Sequence, residues 1–165
     1  MRVTPVINHL LRVGFREKAD DLTPLKVQKM LFFLHGWYLA IAGEPLIDGG
    51  FEKWPYGPVS PDAYDSLKGY GAQPVADYIY EWDPVKKDVT AFFVSPEANP
   101  KFIDVLETVW KQYSPLTGAQ LSSLTHLPNT PWSVTASREV IDDDLIRKHF
   151  SDIAKETRER KAVAA

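Results

Sequence analysis

The side chains best suited to proton transfer near neutral pH are four histidines, at positions 9, 35, 126 and 149, in a 165-residue chain without cysteine. The missing cysteines exclude thiolate metal ligands, cysteine nucleophiles, disulfides and thiol redox chemistry together. That composition suits a reducing compartment. The histidines are scattered, with no ligand spacing that favours a metal. There is no glycine-rich phosphate loop, no helical histidine pair flanking a glutamate, and no strand-turn serine elbow. No cofactor or metal is expected, and no catalytic residue is assigned.

Each remaining candidate has a structural alternative. His35 interrupts an apolar run, where it could be a buried base, but a hydrogen-bonded core histidine is favoured because buried polar groups need partners. His126 opens the segment His126-Leu127-Pro128-Asn129-Thr130-Pro131-Trp132. Its prolines can hold the imidazole against Trp132, and a structural corner is favoured because no nucleophile or acid is paired with it in sequence. The triplet Asp142-Asp143-Asp144 resembles a metal cluster. Adjacent residues of a helix diverge, however, and acids in a first turn offset the helix dipole. At the other end, Lys155, Arg158, Arg160 and Lys161 alternate with Glu156 and Glu159, which reads as a solvated helix end.

The segment Trp54-Pro55-Tyr56-Gly57-Pro58-Val59 is the strongest candidate for a binding surface. Prolines stiffen it before docking, which lowers the entropy lost on binding. Trp and Tyr are enriched in interface hot spots. The competing reading has Trp54 and Tyr56 lidding the core, with Gly57 supplying an unusual backbone angle.

Positioning these residues requires helices whose starts are marked by hydroxyl–proline pairs. Thr4-Pro5, Thr23-Pro24 and Ser60-Pro61 predict three helix starts. The first helix runs over about 5–18, with Ile7, Leu10, Leu11 and Phe15 inward. The second spans 24–42, stopped by Gly43 and Pro45, and its apolar residues cover most of the circumference. It is the expected core helix, and Lys29 is placed on its polar side. Asp48-Gly49-Gly50 predicts a hairpin between Leu46-Ile47 and Phe51–Trp54, after which 54–59 is too proline-rich to stay in a ladder. Further helices are expected over 61–70, 99–113, 117–126 and 142–160, with a strand over 88–94. Asp143→Arg147 and Asp144→Lys148 are expected i,i+4 pairs, and residues 155–161 are expected to fray.

The whole is expected to be one mainly α domain (α+β), about six helices around a buried central helix with a small antiparallel sheet. Residues 1–150 form the domain and 151–165 the helix end and exposed tail. The chain carries net charge −3, unevenly: residues 62–107 hold nine acidic and four basic side chains, net −5. An overall basic footprint for nucleic acid is missing, whereas the acidic middle would attract a basic partner. The longest apolar run, Met30 to Ala42, is too short to span a bilayer. The N-terminus lacks the apolar core of a signal peptide, so a cytoplasmic protein is expected.

One ordered set of motifs carries a resemblance. Leu25-Lys26-Val27-Gln28-Lys29-Met30-Leu31-Phe32-Phe33 continues through Gly36-Trp37-Tyr38-Leu39 to Gly43-Glu44-Pro45-Leu46. Phe51, Trp54, Tyr56-Gly57-Pro58-Val59, Pro61, Tyr64 and Gly71 follow, then Leu124-Thr125-His126, Pro131-Trp132 and Ile141. From about Leu22 to Phe150 this resembles the Panacea domain, the SocA-like antitoxin family of bacterial and prophage genomes. The resemblance implies a non-enzymatic protein that neutralises a cognate protein toxin by direct binding; SocA-like members also act as adaptors delivering the toxin to a protease. Lys53 departs from the small apolar residue usual before the Trp. On this reading Trp54, Tyr56 and Tyr64 anchor the partner, Gly57-Pro58 sets the loop, and Lys29 bridges to it. Trp37, His126, Pro131 and Trp132 are then structural. The alternatives are a prophage protein that blocks a host defence protein by binding, and an enzyme using His126 with nearby carboxylates.

Overall fold

The helix starts follow their capping chemistry. A computed structural model describes all of residues 1–165. Helices α1 (Val3–Arg16) and α2 (Pro24–Ala42) are followed by strands β1 (Phe51–Trp54) and β2 (Gly57–Val59) and helix α3 (Pro61–Leu67), which ends in a 3-10 turn at Lys68–Tyr70. Strands β3 (Glu81–Asp83) and β4 (Asp88–Thr90), helices α4 (Pro100–Tyr113), α5 (Gly118–Thr125) and α6 (Pro131–Val134), strand β5 (Val140–Ile141) and helix α7 (Asp143–Ala164) complete the chain. Thr23, Ser60, Asn99 and Thr130 each accept a backbone N–H at a helix start, with Pro next. Thr117 and Gln120 form a reciprocal capping box, which satisfies two otherwise orphaned donors. Thr4-Pro5 behaves differently. Helix α1 begins at Val3, so Pro5 lies in its first turn, where an N–H needs no intrahelical acceptor and proline loses nothing.

Helix α2 is the centre, as its all-round apolarity predicts. Val27, Met30, Leu31 and Leu34 are fully buried, and α7, α4 and α5 make its most extensive contacts. It ends at Gly43, whose φ of +75° closes the last turn in the left-handed region. Gly36 lets α7 dock, because a Cβ there would fall inside the Phe150 ring.

The sheet differs from expectation. Leu46-Ile47 is no strand. Instead β1 pairs antiparallel with β2 across a turn at Pro55–Tyr56, and with β5 on its other side, in the order β2-β1-β5. Proline is tolerated because β2 is an edge and the Pro58 carbonyl points away from β1, to Lys29. The missing N–H of Pro58 lies on that same outward side, so no rung is lost.

Residues 88–94 form a strand only to Thr90, pairing with β3 in a separate hairpin. Asn8, fully buried, fills the place of its next rung: Nδ2 donates to Ile79 O (2.8 Å) and Phe92 O (3.0 Å), and Oδ1 accepts from Ile79 N (2.8 Å). Helix α7 extends to Ala164 rather than stopping near 160. Its acids divide. Asp142 caps the helix, Asp143 meets His35 at 2.9 Å, and Asp144 pairs with Arg147 at i,i+3 instead of Lys148, which turns forward to Asp152.

Candidate functional site

Helix α2 turns Leu25, Gln28 and Lys29 toward the β1–β2 hairpin, at the i, i+3, i+4 spacing that puts them on one face. Helix α3 brings Tyr64 and Leu67 alongside. Between them lies a cleft of about 280 Å³, also lined by Pro24, Trp54, Pro55, Tyr56 and Val59, with Lys68 and Gly71 completing it. It is a mostly apolar concavity with a few convergent polar groups, the usual form of a binding site.

The corner above the cleft is held through its own carbonyls. Trp132 Nε1 donates to Trp54 O (2.8 Å), Ser122 Oγ to Tyr56 O (2.6 Å) and Lys29 Nζ to Pro58 O (2.8 Å). His126 Nε2 faces Pro55 O at 3.0 Å. Four carbonyls among five consecutive residues are therefore engaged by side chains from α6, α5 and its C-terminal residue, and α2. Gln28 fastens the far end, donating to Ser60 O (3.0 Å) and accepting from Ser60 N (3.1 Å). Gly57 is required where these parts converge. Its φ is +112°, and a Cβ there would meet Lys29 Cε and Thr125 Oγ1, both at 2.8 Å.

The aromatic rings divide into supported and free. Trp54 is half-buried, donates from Nε1 to Glu52 (2.8 Å), packs on Tyr64 at 4.9 Å between ring centroids, and has the Arg138 guanidinium 5.0 Å from its ring. Tyr64 is 44% exposed and Tyr56, at the hairpin tip, 76%. The structure thus brings Trp54, Tyr56, Gly57, Pro58, Tyr64 and Lys29 together at one cleft. Lys29 is not on a polar face, however. It is fully buried, and burial alone pushes its ammonium down to about 7.

Trp37 lies elsewhere, donating to the Tyr113 hydroxyl (2.9 Å) and packing on Phe150. Pro131 is buried at the start of α6. Trp132 packs against His126, with ring centroids 3.9 Å apart and the planes tilted by 47°. Both His126 ring nitrogens face carbonyls, Nδ1 lying 2.6 Å from Ser122 O. That arrangement ties the ring to the loop, the single N–H of a neutral imidazole donating to one of the two carbonyls. His35 is likewise a tied core residue, between Asp143 and the Ile47 N–H. Lys53 has its own use: Nζ donates to Thr135 O (2.8 Å) at the end of α6 and lies 4.4 Å from the Trp132 ring centre. A cation over an aromatic face is favourable, so the departure from a small apolar residue is accommodated by α6.

Sequence reasoning missed Pro24, Leu25, Gln28, Leu67, Lys68 and Gly71 as cleft residues. The available signal was Gln28 beside Lys29, two long polar side chains within a face otherwise apolar.

Fold and site together define a class: a small α+β domain, built around one buried helix, that presents a braced aromatic cleft. The family model for the SocA-like antitoxin, Panacea domain, matches residues 27–133, and the chain belongs to that family. The antitoxin SocA of Caulobacter vibrioides (strain NA1000 / CB15N) is 30% identical over 119 residues, which are 70% of this chain. The match spans 61% of that relative's length. No solved structure matches the chain. No helix is long and apolar enough to cross a membrane.

Proposed function

We propose that this protein is an antitoxin acting in the cytoplasm, and that it neutralises a protein toxin by binding it at the cleft between Trp54, Tyr56 and Tyr64. The observation that carries the reading is Tyr56, a large ring held out into solvent on a turn whose carbonyls are fixed from three sides. Exposing such a ring forgoes burial worth roughly 1.5–3 kcal/mol for a large apolar side chain. A rigid aromatic recovers that on docking with little further entropy loss. Membership of the SocA-like family supports a toxin as the partner.

Trp54 and Tyr64 form the wall the partner contacts. Gly57, Pro58 and Lys29 act from beneath, by fixing the turn. The ionisable groups lining the cleft are Lys29, Tyr56, Tyr64 and Lys68, none of them a carboxylate. The contact made here is therefore apolar or carboxylate-bearing, and a basic region of the toxin would be met by other surfaces.

Co-expression tests the reading. The product of the adjacent reading frame should arrest growth alone and be harmless beside this chain. Tyr56→Ala should abolish that rescue without changing the melting temperature. A harmless neighbour would defeat the antitoxin reading, while rescue by Tyr56→Ala would defeat only the site. Direct blockade leaves the toxin's lifetime unchanged in rescued cells; accelerated turnover would mark an adaptor for a protease instead.

A further inference from the structure

The β3–β4 hairpin is built inside out. Strand residues alternate between faces, and a two-faced antiparallel pair ordinarily turns its apolar side inward. Here Trp82 and Val89, directly opposite in the register, are 63% and 59% exposed. Tyr80, two residues before Trp82 and so on the same face, is 51% exposed. The charged face is the one turned to the protein: both Glu81 carboxylate oxygens accept from Arg2 Nη1, and Asp83 is buried, accepting from Val85 N and Lys86 N in the turn. Asn8 fixes the base. An isolated two-stranded hairpin is marginal in water, so these anchors hold the apolar strip in place.

The charges around the strip indicate what covers it. Lys86, Lys87 and Asp88 are exposed at the tip, which is net positive, and Asp77 is exposed at the base, with no salt bridge at any of the four. A two-fold contact presents the same patch from both sides. Stacking two such hairpins tip to base brings the lysines of one copy to Asp77 of the other.

We infer that this strip is the contact through which two copies of the chain form a two-fold dimer, Trp82 and Val89 of one copy packing on those of its partner. The strip is small beside the roughly 800 Å² per partner of a standard interface, so the dimer is a weak one.

Sedimentation and light scattering of the full chain from about 1 to about 300 µM should show the mass doubling within that range. Trp82→Glu, at an exposed position, should keep the melting temperature and weaken dimerisation at least about tenfold. Val89→Lys should do the same and stands in if the first variant folds poorly. Asp77→Lys alone, or Lys86→Asp with Lys87→Asp, should each weaken the dimer, and all three changes together should restore it. Mass that stays monomeric throughout overturns the inference, as does a dimer indifferent to Trp82→Glu and Val89→Lys. Tyr56→Ala should leave the dimer intact, so this result is separate from that of the antitoxin reading.

Discussion

Two buried lysines one turn apart on α2 have different partners. Lys26 meets the Asp21 carboxylate at 2.6 Å and Ser114 O at 2.7 Å. Lys29 has a single carbonyl, Pro58 O, and no carboxylate. Its pKa falls from 10.5 to about 7 because burial disfavours the ammonium. The folded-state value lies below the unfolded one, so between these limits the unfolded chain holds more protons and stability rises with pH. The slope approaches about 1.4 kcal/mol per pH unit. Denaturant midpoints should therefore increase from pH 7 to 9, and in Lys29→Met that increase should vanish. An unchanged slope in the variant would show that Lys29 stays protonated in the fold. Burial also lowers the pKa values of His9 and His149. Each makes the fold lose stability as pH falls from the ordinary histidine value of 6.5, a window that adjoins the lower edge of that of Lys29. Gly57 is the second decisive residue. Ala there must adopt a φ of +112° against Lys29 and Thr125, a strain of about 1–3 kcal/mol. Chemical denaturation of Gly57→Ala should show a loss of that size, and a neutral result would mean that the turn can relax.

Among the elements, the β3–β4 hairpin depends on a side chain from α1. Asn8→Ala would orphan the N–H and C=O of Ile79 and the C=O of Phe92, at about 1–3 kcal/mol per buried unpaired group. Amide exchange over 79–90 should accelerate while that of α2 keeps its protection relative to global stability. Uniform acceleration would make the hairpin part of the global unit instead. Such long-range dependence explains what was legible in the sequence. The helices read well because Thr23, Ser60, Asn99 and Thr117 cap within three residues of themselves, and local chemistry leaves local signals. The hairpins read poorly. Asp48-Gly49-Gly50 gives a glycine-turn signal, yet the turn is Pro55–Tyr56, chosen by side chains from α2, α5 and α6. Strand β5, two residues paired to β1 from far along the chain, carries no periodicity at all. The candidate site divides in the same way. Its aromatics and glycine stand out by type, whereas the burial of Lys29 follows only from how α2 packs.

For the whole molecule, the fold separates an inner scaffold from two surfaces left unpartnered, the aromatic cleft and the hairpin strip. The scaffold absorbs most of the residues whose chemistry first draws notice: His35 and Asp143 pair, His126 ties a loop, and Asp142 caps α7, while Asp144 pairs with Arg147 at the surface. Both surfaces are apolar, and the turn beside the cleft is braced through its carbonyls. The cleft is the part ascribed to toxin neutralisation, and that claim is tested most directly by affinity. Titration of the purified adjacent gene product into this protein, and into Tyr56→Ala of unchanged melting temperature, should show binding weakened at least about tenfold by the substitution. Equal affinity for the two proteins would contradict the account and move the interface away from the cleft.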